Sequence, residues 1–78
     1  MASKNNPGLP SWEGRSLKLR RISAGLTLVE LAALLDVSKS TVSRWERGDN
    51  EPPSDHVAKL ADILETPALA FARETKLV

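Results

Sequence analysis

The chain has 78 residues, of which 41% are hydrophobic and 27% are charged, and it contains no cysteine. This composition is typical of a folded globular domain rather than a disordered chain, and the length allows one small core. The lack of cysteine excludes disulfides and thiolate metal sites, so helix packing or a partner subunit must stabilise the fold. Glu30 and Asp36 interrupt the longest apolar run, and the first residues lack the apolar segment of a signal peptide, so we expect a cytoplasmic protein.

The net charge of +1 is distributed unevenly. Residues 14–47 carry seven basic and three acidic side chains, a net charge of +4, whereas residues 48–78 carry three basic and six acidic ones, a net charge of −3. A protein with this polarity can present its cationic region to a polyanion.

Residues 1–12 are predicted to form a flexible N-terminal arm, and residues 13–78 the folded domain. Two prolines, a glycine and two asparagines near the start favour a mobile segment. Lys4 is the one cation of this arm, so disorder is favoured over a role of the arm in binding a polyanion. Trp12, at the end of the arm, is expected to pack against the core.

The first helix is predicted over residues 13–24, with Gly25 as its stop. The second helix begins at a capping box, because Thr27 is followed three residues later by Glu30 and each side chain can satisfy a free backbone N–H group. Its apolar residues then follow the i, i+3, i+4, i+7 spacing of a buried stripe. They are Leu28, Leu31, Ala32 and Leu35.

The third helix is predicted to begin after Ser38, whose hydroxyl can cap it, and to end at Gly48. Besides the cap, two residues, Asp36 and Val37, separate it from the second helix. So short a connection forces the two helices to cross at a steep angle, which predicts a helix-turn-helix.

The segment "GDNEPP" is a loop, since its two prolines cannot lie inside a helix. A fourth helix is predicted from Ser54 or Asp55, with one apolar face formed by Val57, Leu60, Ala61 and Leu64. Thr66 and Pro67 have the pattern of a cap and first residue of a fifth helix. The apolar residues at the end of the chain fit a core or a dimer seam equally well; they are Leu69, Phe71, Leu77 and Val78.

Positions placed about 100° apart divide the third helix into two faces. Val42 and Trp45 share the apolar face, so Trp45 is expected in the core. The opposite face is polar, with three cations and no anion, whereas an ordinary exposed helix mixes both signs. Its residues are Lys39, Ser40, Ser43, Arg44 and Arg47. The second helix of a helix-turn-helix enters the DNA major groove, where arginine and lysine can bind guanine.

The segment "LTLVELAALLDVSKSTVSRWERG" resembles the helix-turn-helix of the Cro/C1-type, or xenobiotic-response-element, family of phage and bacterial regulators. The flanking "LKLRRISAG" and "PPSDHVAKLADILETPALAFA" are similar to its first, fourth and fifth helices, so the resemblance covers about residues 14–72. It implies an all-α, compact five-helix, lambda-repressor-like domain that binds operator DNA, commonly as a two-fold dimer. It also implies a nucleoid-associated protein of prokaryotic, phage or plasmid origin.

The resemblance also implies roles for individual residues. Expected base contacts are Lys39, Ser40, Ser43 and Arg44, and expected phosphate contacts are Arg47, Thr27 and Ser38. Arg21 and Glu46 match a partly buried ion pair that joins the first helix to the third. Such a pair fixes orientation rather than adding net stability, and it hides the carboxylate from DNA.

Four residues depart from the family pattern. Leu28 stands where a polar residue, often glutamine, contacts the DNA backbone, and Asp36 replaces the usual turn glycine. Asp49 and Glu51 place two acids in a loop that approaches phosphate in many members. These differences predict modest DNA affinity.

We predict a sequence-specific, double-stranded-DNA-binding transcriptional regulator, a small repressor that binds a palindromic operator as a homodimer through its fourth and fifth helices. No metal site, cofactor or catalytic activity is expected, because His56 is the sole histidine and no catalytic set is evident. One alternative is an antitoxin or bridging module whose main partner is a protein, which apolar Leu28, Val29 and the C-terminal tail would favour. Another is a DNA-binding domain whose effector domain lies elsewhere.

Overall fold

The computed structural model of the protein describes residues 12–71, apart from the side chains of residues 68 and 69. Four α-helices are followed by one 3-10 turn: α1 (Gly14–Ser23), α2 (Leu28–Leu35), α3 (Lys39–Arg47), α4 (Ser54–Ile63) and the turn Ala68–Phe71. The predicted all-α class and the first four helices are confirmed. None of the described helices is long and apolar enough to cross a membrane.

Within the described residues, the four-residue 3-10 turn stands where the fifth α-helix was predicted. Its cap does not form, because the Thr66 hydroxyl is buried without a hydrogen-bond partner among the described residues. The Ala70 N–H instead donates to the Pro67 carbonyl over 2.9 Å, the i to i+3 bond of a 3-10 turn.

The start of α2 is the predicted capping box. The Glu30 N–H donates to the Thr27 hydroxyl over 3.0 Å, and the Thr27 N–H donates to the Glu30 carboxylate over 2.9 Å. The helix ends at Asp36, which adopts the left-handed conformation (φ 59°, ψ 44°). Aspartate tolerates this region better than most residues, so the turn forms without the usual glycine.

One core joins α1–α4 and the 3-10 turn, and it consists of Leu17, Leu31, Ala32, Leu35, Val42, Trp45, Leu60 and Phe71. The predicted apolar stripes of α2 and α3 supply most of it. Phe71 is buried and so belongs to the core rather than to a dimer seam. The predictions for Leu77 and Val78, and for the side chain of Leu69, lie outside the described residues.

Trp12 ties the beginning of the domain to both α3 and the 3-10 turn. Its indole N–H donates to the Trp45 carbonyl over 2.8 Å, and its ring lies 5.9 Å from that of Phe71 between centroids. The Glu13 N–H donates to the Phe71 carbonyl over 2.7 Å. These contacts confirm that Trp12 packs against the core, whereas the arm before it lies outside the described residues.

Candidate nucleic-acid interface

The outer face of α3 carries the residues predicted to contact bases. Lys39, Ser40 and Arg44 are exposed and Ser43 is half-buried, whereas Val42 and Trp45 on the opposite side are buried. The Ser38 hydroxyl caps the helix by accepting from the Thr41 N–H over 3.1 Å. The buried side anchors α3 to the core, and its polar side can enter a groove of nucleic acid.

Arg21 and Glu46 form a bidentate ion pair between α1 and α3. The Arg21 Nε donates to Glu46 Oε2 over 2.6 Å, and its Nη2 donates to Oε1 over 3.2 Å. The two side chains are 10% and 7% exposed. Arg21 also donates to the Leu26 carbonyl over 2.8 Å, so it holds the α1–α2 loop as well. The one acid of α3 is thereby turned away from the polar face, and the helix is held at a fixed angle.

Arg47 is held by two neighbours within its own chain. Its Nε donates to Asp49 Oδ2 over 3.0 Å, and its Nη1 donates to the Ser43 hydroxyl over 2.9 Å. Asp49 and Arg47 both remain more than half exposed. The sequence comparison favours Asp49 as a group that opposes phosphate and does not show this pairing, which brings the loop back onto α3.

The hydroxyls of Thr27 and Ser38, predicted to contact phosphate, are engaged as helix caps at the starts of α2 and α3. Both residues are exposed. A capping hydroxyl accepts through oxygen, so the Thr27 O–H hydrogen stays available as a donor. The Ser38 hydroxyl lies 2.9 Å from that of Thr41, and either can donate to the other.

A groove of about 450 Å³ adjoins α3. It is lined by Val37, Thr41, Arg44, Trp45, Asn50, Glu51, Pro53 and His56. The His56 ring packs edge-on against Trp45, with centroids 5.6 Å apart. A hydrogen bond from His56 lowers the pKa of the Asp55 carboxyl, 3.3 Å away, below its usual range. Within residues 12–71, no cluster of three or more histidine, cysteine, aspartate or glutamate side chains could hold a metal ion.

Four large apolar side chains are more than half exposed: Leu19, Ile22, Val29 and Leu34. The sequence analysis identified Val29 alone among them, because periodicity cannot show which side of a helix lacks a neighbour. Leu28, expected on the same apolar surface, is instead partly buried against the core. Its position contradicts the expected exposed surface and agrees with the predicted apolar stripe of the second helix, which also included Leu28.

Residues 17–71 match the model of the helix-turn-helix family HTH_3. The chain belongs to this Cro/C1-type family. It is 42% identical over 53 residues to a protein of Pyrobaculum aerophilum named as an HTH-type transcriptional regulatory protein. It is 36% identical over 52 residues to the HTH-type transcriptional regulator DicA of Escherichia coli. These matches cover 68% and 67% of the chain but 21% and 38% of the relatives, so the chain corresponds to less than half of either relative.

Solved structures share this fold. The restriction-modification controller protein C.AhdI from Aeromonas hydrophila is 29% identical, with a TM-score of 0.68 over 74% of the chain and 88% of C.AhdI. HppE, which has also been solved with iron and substrate, is 30% identical, with a TM-score of 0.71 over 77% of the chain. The chain spans 34% of HppE, so this similarity concerns the fold of that portion and not the reaction.

Proposed function

We propose that this protein is a sequence-specific, double-stranded-DNA-binding repressor of transcription, without enzymatic activity. One observation carries the proposal: the exposed face of α3 is polar and cationic, while its opposite face is buried in the core. The family consists of DNA-binding transcriptional regulators, which supports the same conclusion. Repression follows from steric exclusion, since a bound domain blocks the DNA that it covers.

In this proposal α3 lies in the major groove. Lys39 and Arg44, both exposed, donate to guanine O6 and N7, and the hydroxyls of Ser40 and Ser43 contact neighbouring base edges. The bidentate pair between α1 and α3 holds these side chains in register, because it leaves the helix little freedom to rotate.

Phosphate contacts flank the base contacts. Arg47 uses two of its five N–H groups within the chain, so three remain for a phosphate oxygen. The Thr27 O–H hydrogen donates to the phosphate backbone beside the groove, which its exposure at the start of α2 supports. Ser38 can do the same at the start of α3 when its hydrogen turns away from Thr41. Such contacts position the protein without reading sequence.

We further propose a homodimer whose two α3 helices enter successive major grooves, about 34 Å apart along a palindromic operator. In this arrangement α4 supplies the seam, since Phe71 is already buried within its own chain. Exposed Asp55, Lys59 and Asp62 on α4 carry both signs of charge, which a two-fold seam can pair across its axis.

The test is selection from a randomised duplex pool at near-physiological salt, followed by sequencing of the bound fraction. The proposal predicts an enriched inverted repeat whose half-site centres lie about 10 base pairs apart. Lys18→Ala, which removes an exposed cation from α1, serves as the control that should enrich the same repeat. A single enriched half-site would refute the dimer, and no enrichment would refute base recognition altogether.

A second candidate function is a protein-interaction module of the antitoxin or bridging type. The exposed Leu19, Ile22, Val29 and Leu34 favour it, because apolar patches on a protein surface mark sites of protein–protein interaction. A protein partner whose binding survives the combined Lys39→Ala and Arg44→Ala substitutions, in a chain that enriches no DNA sequence, would establish this function instead.

A further inference from the structure

Arg47 donates hydrogen bonds both to α3 and to the loop that follows it. Ser43 precedes it by one helical turn, and Asp49 follows Gly48 at the start of the loop. The guanidinium therefore meets the Ser43 hydroxyl at 2.9 Å and the Asp49 carboxylate at 3.0 Å at the same time. Because the carboxylate holds the Nε edge, the Nη1 group stays directed at Ser43.

This arrangement changes what the Ser43 hydroxyl offers to a third partner. A serine hydroxyl has one donor hydrogen and two acceptor lone pairs, and Arg47 occupies one of those lone pairs. The donor is cationic, so it polarises the oxygen: the O–H hydrogen becomes a better donor, and the remaining lone pair becomes a weaker acceptor. A half-buried Ser43 on the polar face therefore favours partners that carry an acceptor atom.

Building on the proposed function, we infer that Asp49 and Arg47 orient Ser43 as a hydrogen-bond donor toward one base of the operator. In the major groove guanine presents N7 and O6 as acceptors, whereas cytosine presents the N4 amino donor. Ser43 thus selects guanine over cytosine at its position. Asp49 is a positioning residue: it directs Arg47, and Arg47 directs Ser43.

Asp49 has two effects beside the proposed DNA-binding face of α3. The charge of Asp49 repels phosphate in general, and this alone would weaken binding to every sequence equally. Its hydrogen bond to Arg47 adds an effect confined to one base pair. The two roles are therefore separable, since the first changes overall affinity and the second changes base preference at a single position.

The experiment compares base preferences of the full chain and its variants on the operator obtained by selection. Each operator position is replaced in turn by the four base pairs, and relative affinities are measured in competition at fixed salt. Ser43→Ala identifies the operator position that Ser43 contacts. At that position the affinities for guanine and cytosine are compared, because the new alanine methyl can contact the thymine methyl and change the affinity for thymine. Arg47→Ala and Asp49→Ala test the chain of contacts, Arg44→Ala should affect a different position, and Lys18→Ala should affect none.

We expect the unsubstituted chain to favour guanine over cytosine about threefold to tenfold at the Ser43 position, as one hydrogen bond allows. Ser43→Ala, Arg47→Ala and Asp49→Ala should each bring this ratio close to 1, while Asp49→Ala leaves the other positions unchanged. Retention of the preference in both Arg47→Ala and Asp49→Ala would overturn the inference, as would a preference for cytosine, or no change at any position in Ser43→Ala. If the unsubstituted chain enriches no sequence, the proposed function itself fails, which is a distinct result.

Discussion

Gly14, the first residue of α1, packs directly against the backbone at the end of α3. A Cβ atom at this position would lie within 3.0 Å of the carbonyl oxygens of Trp45 and Glu46 and of the Glu46 carbonyl carbon. Because these are backbone atoms, no change of rotamer can make room. Gly14→Ala should therefore push α1 away from α3 and weaken the bond between the Trp12 indole and the Trp45 carbonyl.

Two opposing effects set the magnitude. Alanine is favoured over glycine inside a helix by about 1 kcal/mol. Overpacking a close contact costs about 1–3 kcal/mol, and contact with rigid backbone places Gly14→Ala at the upper end. The net loss of unfolding free energy is then about 2 kcal/mol. In a domain of this size about 4–8 °C of Tm is lost per kcal/mol, so the Tm should fall by about 8–16 °C.

The assay is thermal unfolding of the full chain followed by far-UV circular dichroism. Ser23→Ala, at the exposed last position of α1, is the matched control and should change the Tm little. Gly48→Ala tests backbone strain without a clash, because Gly48 has φ +83° and no atom within 4 Å of an added Cβ; it should cost about 1–2 kcal/mol. A Gly14→Ala protein as stable as the unsubstituted chain would refute the argument that α1 and α3 are in contact through this glycine.

Three further predictions follow from the same structure. Lys39→Ala should weaken operator binding by about 1–3 kcal/mol while leaving random DNA less affected, as measured by competition with fluorescent duplexes; equal losses on both would contradict base contact. Glu46→Gln should cost about 3–5 kcal/mol in chemical denaturation because it leaves buried Arg21 without its counter-charge, whereas Arg21→Met with Glu46→Leu should restore most of that loss. Thr66→Val should raise the unfolding free energy by about 1–3 kcal/mol, since it removes a buried hydroxyl with no described partner; a loss of stability would indicate a hydrogen bond that the described residues do not account for.

Features that depend on neighbours within one or two helical turns could be predicted from the sequence. The Thr27–Glu30 capping box, the Ser38 cap and the polar face of α3 are of this kind, because helix geometry converts spacing directly into position. The ion pair between Arg21 and Glu46 joins two helices, and its prediction depended on the resemblance to a known family. The structure has the two helix caps, the polar face of α3 and the Arg21–Glu46 ion pair where they were expected.

Tertiary packing decided the rest. The sequence favoured a fifth helix after Pro67, but a 3-10 turn forms over Ala68–Phe71, and the buried Thr66 hydroxyl makes no hydrogen bond among the described residues. The predicted first helix includes Gly14, but the sequence does not show that the backbone of α3 lies against it. The family resemblance placed Asp49 in a loop that approaches phosphate, but it did not show that the path of this loop brings the carboxylate to Arg47. For Gly14 the deciding contact joins α1 to α3, whose distance and orientation are fixed only once the helices have packed. The contact between Arg47 and Asp49 is local and depends on the conformation of the loop after Gly48.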